Sequence, residues 1–227
     1  MTWILGIAII VGLVFLPQWW VRHVFTSYQV ERDDFPGTGG QLAEHVINTL
    51  GIKQATVQIT EAENHFDPSS KTVALTLPFY QGKSLTAIAA AAHEVGHLIQ
   101  LEEGNFWLKL RIQLSGVTQK LEKIGMMALF LMPFAGLLTR SPLVILILTG
   151  LGVSGMIMNV IVHLVTLPME LDASFGKALP LLKAGQFIDE EDEPKIRKIL
   201  WAAALTYLAS ALATLLNLAR WMRVLRR

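Results

Sequence analysis

Between positions 143 and 167 the chain carries no aspartate, glutamate, lysine or arginine. That restricts the backbone severely. Inside a bilayer every N–H and C=O must be satisfied within the segment, which leaves a helix, and about 20 helical residues cross the hydrocarbon core. Three more apolar stretches accompany this one. Residues 2–16 run on to Trp19, Trp20 and Arg22, an order that suits a membrane–water interface. No basic start and no small-residue cleavage signal marks this stretch as a signal peptide, so residues 1–21 are expected to form an uncleaved anchor. Residues 124–139 pair with 143–167 across Arg140, Ser141 and Pro142, which predicts a transmembrane hairpin over 124–167. The first arm is short and contains Pro133, so a re-entrant segment is the alternative. Gly150, Gly152 and Gly155 would let the arms pack closely. Residues 199–227 form the last helix and its basic tail, with Arg220, Arg223, Arg226 and Arg227.

Composition agrees. The 227 residues are 52% hydrophobic and 16% charged, with mean hydropathy +0.46, where a soluble domain carries roughly 25% charge. The expectation is a mainly α membrane protein of about four transmembrane or re-entrant helices around one small α+β domain. A net charge of +1 gives no case for a nucleic-acid partner. Cysteine is absent, so metal ligands must come from histidine and carboxylates.

The polar domain is expected over 22–123. Residues 41–50 (QLAEHVINTL) space their apolar positions as a helix, which Gly51 can close. Residues 55–60 and 71–77 alternate as two strands, joined by the turn-rich stretch 61–70 (EAENHFDPSS). A strand edge facing a catalytic centre could hold an extended peptide by backbone hydrogen bonds. His65 and Asp67 in the connecting stretch could contact substrate or support the site, or Asp67-Pro68 could merely shape the turn. Ser84 is the N-cap candidate of the next helix.

That helix, residues 87–100 (AIAAAAHEVGHLIQ), carries the chemistry. The i,i+4 spacing of His93 and His97 puts both imidazoles on one face, a turn apart, where they can bind one Zn²⁺. In an HExxH site the glutamate, here Glu94, acts as general base toward the metal-activated water. Gly96 is costly inside a helix, which predicts a close neighbour there. The bland alternative is an amphipathic face with no metal. For the third ligand, Glu102 and Glu103 lie on the same helix and point away or sit too far along its axis. Glu170 is the favoured third ligand, because the hairpin returns it to the side that carries His93. Asp172 is the nearest competitor, or could hydrogen-bond a ring nitrogen of a ligating histidine. His163 is a further alternative, although a helix–helix hydrogen bond suits it better. For the oxyanion donor, His45, His65 and Tyr80 are unranked candidates.

Four blocks in one order (AAHEVGHLIQ, NHFDPSSKTVAL, VTLPMELDAS and AAALTYLASAL) make the chain resemble the YugP-like family of "putative neutral zinc metallopeptidases" of bacterial membranes. The resemblance spans nearly the whole chain. It implies a zincin-like catalytic domain bearing an HExxH helix, and a membrane-embedded zinc endopeptidase. His93, His97 and Glu170 then fall on the zinc ligands and Glu94 on the base. Better-known membrane peptidases of this architecture place an aspartate four residues after the ligand glutamate, where this chain has Ser174; that puts the role of Asp172 in question. Two rivals are a non-peptide amidohydrolase and a non-catalytic scaffold stapled by zinc.

Segment 168–198 is expected to supply the third ligand. Lysine and arginine number fourteen on the catalytic side and five on the other, which favours a cytoplasmic catalytic domain, against the dense C-terminal basic cluster. The expected partners are a peptide or membrane-protein substrate and the lipid bilayer.

Overall fold

A computed structural model describes residues 16–225. The anchor expected over 1–21 lies outside the described residues except for 16–21, which belong to a helix, α1, seen over 16–27. The chain forms two compact units. One takes Leu16–Leu108 with Pro168–Thr206, the other Lys109–Leu167 with the described residues from Tyr207 on.

The first unit is organised by helices. Thr38 starts α2 (Gly39–Leu50): its hydroxyl accepts from the Gln41 amide, and the Gln41 side chain accepts from the Thr38 amide in return. Gly51 ends α2 at φ 64°, a left-handed conformation that glycine adopts without strain. Three strands follow, β1 (Thr56–Thr60), β2 (His65–Asp67) and β3 (Thr72–Thr76). The sequence announces two of them. The third, β2, lies inside the stretch expected as turn, and at three residues it is too short for alternation to mark. Burial of Phe66 secures it, as does Asn64, whose Oδ1 accepts from the Thr76 amide at 2.7 Å. The sheet order is β1-β3-β2, with β1 parallel and β2 antiparallel to β3, so β2 forms one edge.

After the short α3 (Leu77–Gln81) comes α4 (Leu85–Glu102). Ser84 caps it, accepting from the Ala87 amide at 3.1 Å. Every residue from Leu85 to Leu98 is buried. A helix covered on all sides needs small side chains where neighbours press in, and Ala87, Ala89, Ala90, Ala91, Ala92 and Gly96 supply them. It packs against α2, β2 and β3.

The apolar unit holds most of α5 (Phe106–Thr139) and α6 (Pro142–Leu171). Helix α5 begins well before residue 124 and runs unbroken through Pro133, giving 34 residues where a short arm was expected. Arg140, at φ 51°, turns the chain. Two of the three expected glycines serve the hairpin. A Cβ at Gly155 would lie 3.2 Å from the Leu121 carbonyl oxygen and one at Gly152 against the Leu129 side chain, whereas Gly150 faces open space. Asn159 donates to Glu122 Oε1 at 2.6 Å between the arms.

Beyond Leu171 the chain widens into a π-helical segment (Asp172–Ala178), then α7 (Leu179–Ala184) and α8 (Glu193–Leu225). Among the described residues, three helical stretches are long and apolar enough to cross a membrane, over Phe106–Thr139, Pro142–Ala184 and Glu193–Leu216. The protein is thus a multi-pass membrane protein with a small mixed sheet beside its HExxH helix.

Candidate metal centre

His93 and His97 face the same way from α4, their ring centroids 4.7 Å apart and their planes nearly perpendicular. The π-helical segment packs against α4, and the end of α6 reaches the rings through Glu170. The close approach comes from Gly96, where a Cβ would stand 2.7 Å from the Ala173 carbonyl oxygen. Glu170 enters there, 1% exposed. Its Oε2 lies 3.0 Å from His93 Nε2 and 3.4 Å from His97 Nε2.

The other side of each ring fixes its tautomer. His97 Nδ1 faces Gln100 Oε1 at 3.0 Å. The Gln100 amide nitrogen donates to the Met169 carbonyl at 2.9 Å and to Asp172 Oδ2 at 2.7 Å. Both are acceptors, so the amide can turn only its oxygen toward His97, and Nδ1 must carry the proton. His93 Nδ1 lies 3.1 Å from Ser174 Oγ, whose hydroxyl donates to the Leu200 carbonyl and so accepts from the ring. In the neutral ring each Nε2 therefore turns a lone pair toward Glu170, the form that a metal ion would bind.

Two imidazole nitrogens and a carboxylate oxygen, each within 4.8 Å of the others and all buried, make a three-ligand set. Such a set repels itself unless a cation or a proton lies among its members. Glu170 Oε1, moreover, is buried with no hydrogen-bond partner among the described residues, an arrangement that bound ions commonly explain. The donor types suit zinc, and three protein ligands leave a fourth position for water.

Burial raises the pKa of Glu94, which is 8% exposed beside the two ligands. The charges of His93 and His97 oppose the rise, Glu170 adds to it, and His65 opposes it. Burial disfavours the His97 imidazolium, but Glu170, Glu94 and Gln100 together raise its pKa to about 9.

Other expected residues are placed differently. Asp172 touches neither ring; it accepts from Gln100 and, at 3.0 Å, from Asn105. Asp67 accepts from the Ser69 amide and the Ser70 hydroxyl, shaping its turn. His65 is exposed on β2, with Nδ1 donating to the Glu63 carbonyl. His45 stacks edge-on with Phe187, and Tyr80 donates to Glu44, so both are engaged elsewhere. Glu102 pairs with Lys71 and Glu103 with Lys177. His163 belongs to the apolar unit. Gln100 is the residue that sequence reasoning passed over. Its signal was the i+3 spacing from His97 on the same helix.

Residues 2–226 match the family described as "Putative neutral zinc metallopeptidase". The chain is 34% identical over 215 residues to the Bacillus subtilis (strain 168) protein named "Putative membrane protease YugP", covering 94% of this chain and 92% of that one. No solved structure matches. The chain belongs to this family of membrane metallopeptidases.

Proposed function

We propose that this family member is an endopeptidase that cuts membrane proteins or their exposed tails, with Glu94 as its base. The observation that carries the reading is the meeting of Glu170 with His93 and His97 beside a buried carboxylate. Zinc, when bound, supplies a Lewis acid for the scissile carbonyl and an acidified water. The chain's own groups do the rest. Glu94 takes the proton of the attacking water and passes it to the departing amine nitrogen, and burial makes it a stronger base than an ordinary carboxylate. Gln100 and Ser174 hold the two rings. The free side of β2 can take an extended substrate segment as a further strand, backbone to backbone. A zinc that only stapled the fold would leave the buried Glu94 carboxylate without a task.

We place the catalytic unit in the cytoplasm, on the excess of lysine and arginine flanking it, fourteen against five. The test is Glu94→Gln in full-length protein. It should bind zinc as the wild type does and lose about 10²–10⁴-fold in peptide hydrolysis. Unchanged proteolysis would remove Glu94 from the mechanism, and hydrolysis of simple amides without peptides would favour the amidohydrolase reading.

A further inference from the structure

Asp172 is half-buried two residues beyond Glu170, yet touches neither imidazole. What it does touch is the amide nitrogen of Gln100, a residue with no exposed surface at all. That contact has a consequence for the ring beyond it. A glutamine amide can present either end, and the two ends ask opposite things of a histidine. With its oxygen forward, Gln100 accepts from Nδ1–H and leaves Nε2 as the lone pair facing Glu170. With its nitrogen forward, it would demand the lone pair at Nδ1 and put the proton at Nε2, where the metal must bind.

We infer that Asp172 is a positioning residue that acts through Gln100: by holding the amide nitrogen, it keeps the His97 Nε2 lone pair aimed at the metal. Two features make Asp172 suited to this. As a carboxylate it only accepts, so it fixes the sense of the amide, and the Met169 carbonyl fixes it a second time. Asn105 donates to the same oxygen, Oδ2, at 3.0 Å and steadies the carboxylate from the turn that follows α4. Met169 and Asp172 also bracket Glu170 in sequence. The stretch that delivers the third ligand therefore orients the second one. His93 has a different arrangement: Ser174 contacts its Nδ1 directly, with no charged group behind the hydroxyl in the contacts it makes. The two ligands are thus held by unlike means, one by a hydroxyl and one by a charge relayed through an amide.

This inference rests on zinc binding at His93, His97 and Glu170. Its test uses full-length protein in detergent, with zinc affinity measured by chelator competition, the visible spectrum of the Co²⁺-substituted protein, and the melting temperature without metal. Asp172→Leu, which has no acceptor, should weaken zinc about tenfold, the low end for losing an outer hydrogen-bond partner, and alter the Co²⁺ spectrum. Gln100→Glu should weaken it similarly, because its carboxylate would face Asp172 and the Met169 carbonyl. The double variant Gln100→Glu/Asp172→Asn should recover most of the Gln100→Glu loss, since the introduced amide donates to the introduced carboxylate. A double variant that binds zinc no better than Gln100→Glu alone would overturn the inference. So would an Asp172→Leu protein that melts lower yet binds zinc as the wild type does. If Asp172→Leu fails to fold, the recovery in the double variant decides alone: its presence supports the pairing and its absence overturns it. A wild type that takes up no zinc brings down the zinc reading and this one together. A zinc-binding wild type with an indifferent Asp172→Leu brings down this one alone.

Discussion

His93 Nε2 lies 3.0 Å from Glu170 Oε2, although 77 positions separate the two residues. The contact closes the metal centre inside one compact unit, joining α4 to the last residues of α6.

Zinc uptake should depend on pH through His97. Without metal its pKa is raised to about 9, against an ordinary 6.5. A raised value means that the imidazolium stabilises the metal-free fold below about 6.5, and that this contribution fades as pH rises through about 9. Zinc must displace that proton. Affinity should therefore climb with pH up to about 9, and calorimetry in buffers of different ionisation enthalpy should register proton release near neutrality. Pure pH independence from 6 to 9 would contradict the assignment of His97 as ligand.

Ser174→Ala should weaken zinc about tenfold with little change in fold, because His93 Nδ1–H loses its acceptor in a buried site. Leaving such a donor unpaired costs about 1–3 kcal/mol. Chelator titration of the variant against wild type reads the change.

Gly96→Ala sets two effects against each other. Alanine gains about 1 kcal/mol of helix propensity, while a Cβ 2.7 Å from the Ala173 carbonyl oxygen forces backbone apart at about 1–3 kcal/mol. The strain should win narrowly in stability. The larger effect should be on zinc, since Ala173 lies between Asp172 and Ser174 and any shift moves the group that orients His93. A chelator titration alongside a melting curve separates the two, and unaltered zinc affinity would show that the contact does not position the site.

Asp192 offers a prediction remote from the metal. It is buried and paired with Arg32 and, at 2.6 Å, with Lys195. Burial disfavours its charge, but the hydrogen bonds from Lys195 and Arg32 outweigh this and hold its pKa below the ordinary 3.8. A depressed value contributes stability above about pH 4 that is lost as pH falls through the lower folded value. Asp192→Asn should lose about 2 kcal/mol at pH 7. The gap to wild type should close in acid, and denaturant titrations at pH 7 and pH 3 would detect this. A gap that stays constant would assign the loss to packing.

Much of the site could be read from the chain because it is local. The i,i+4 spacing of His93 and His97, the Ser84 cap and the Gly51 stop each depend on a few neighbouring residues, and each is found where the spacing puts it. Gly96 signalled a close neighbour without saying which, and the neighbour is Ala173, far along the chain. The strand β2 could not be read, because three residues hold too little pattern and its partner β3 is set by tertiary contact.

By itself, then, the sequence determined that the long uncharged run at 143–167 is helical, since such a run has one way to satisfy its amides in lipid, and it determined which face of α4 carries two imidazoles. Tertiary structure decided what surrounds those imidazoles. It set Ser174 on one ring and Gln100 on the other, and it put Asp172 one hydrogen bond further out. Hydrogen-bond partners across 70 or 80 positions depend on how backbones pack, to within a fraction of an ångström, and no local propensity encodes that distance.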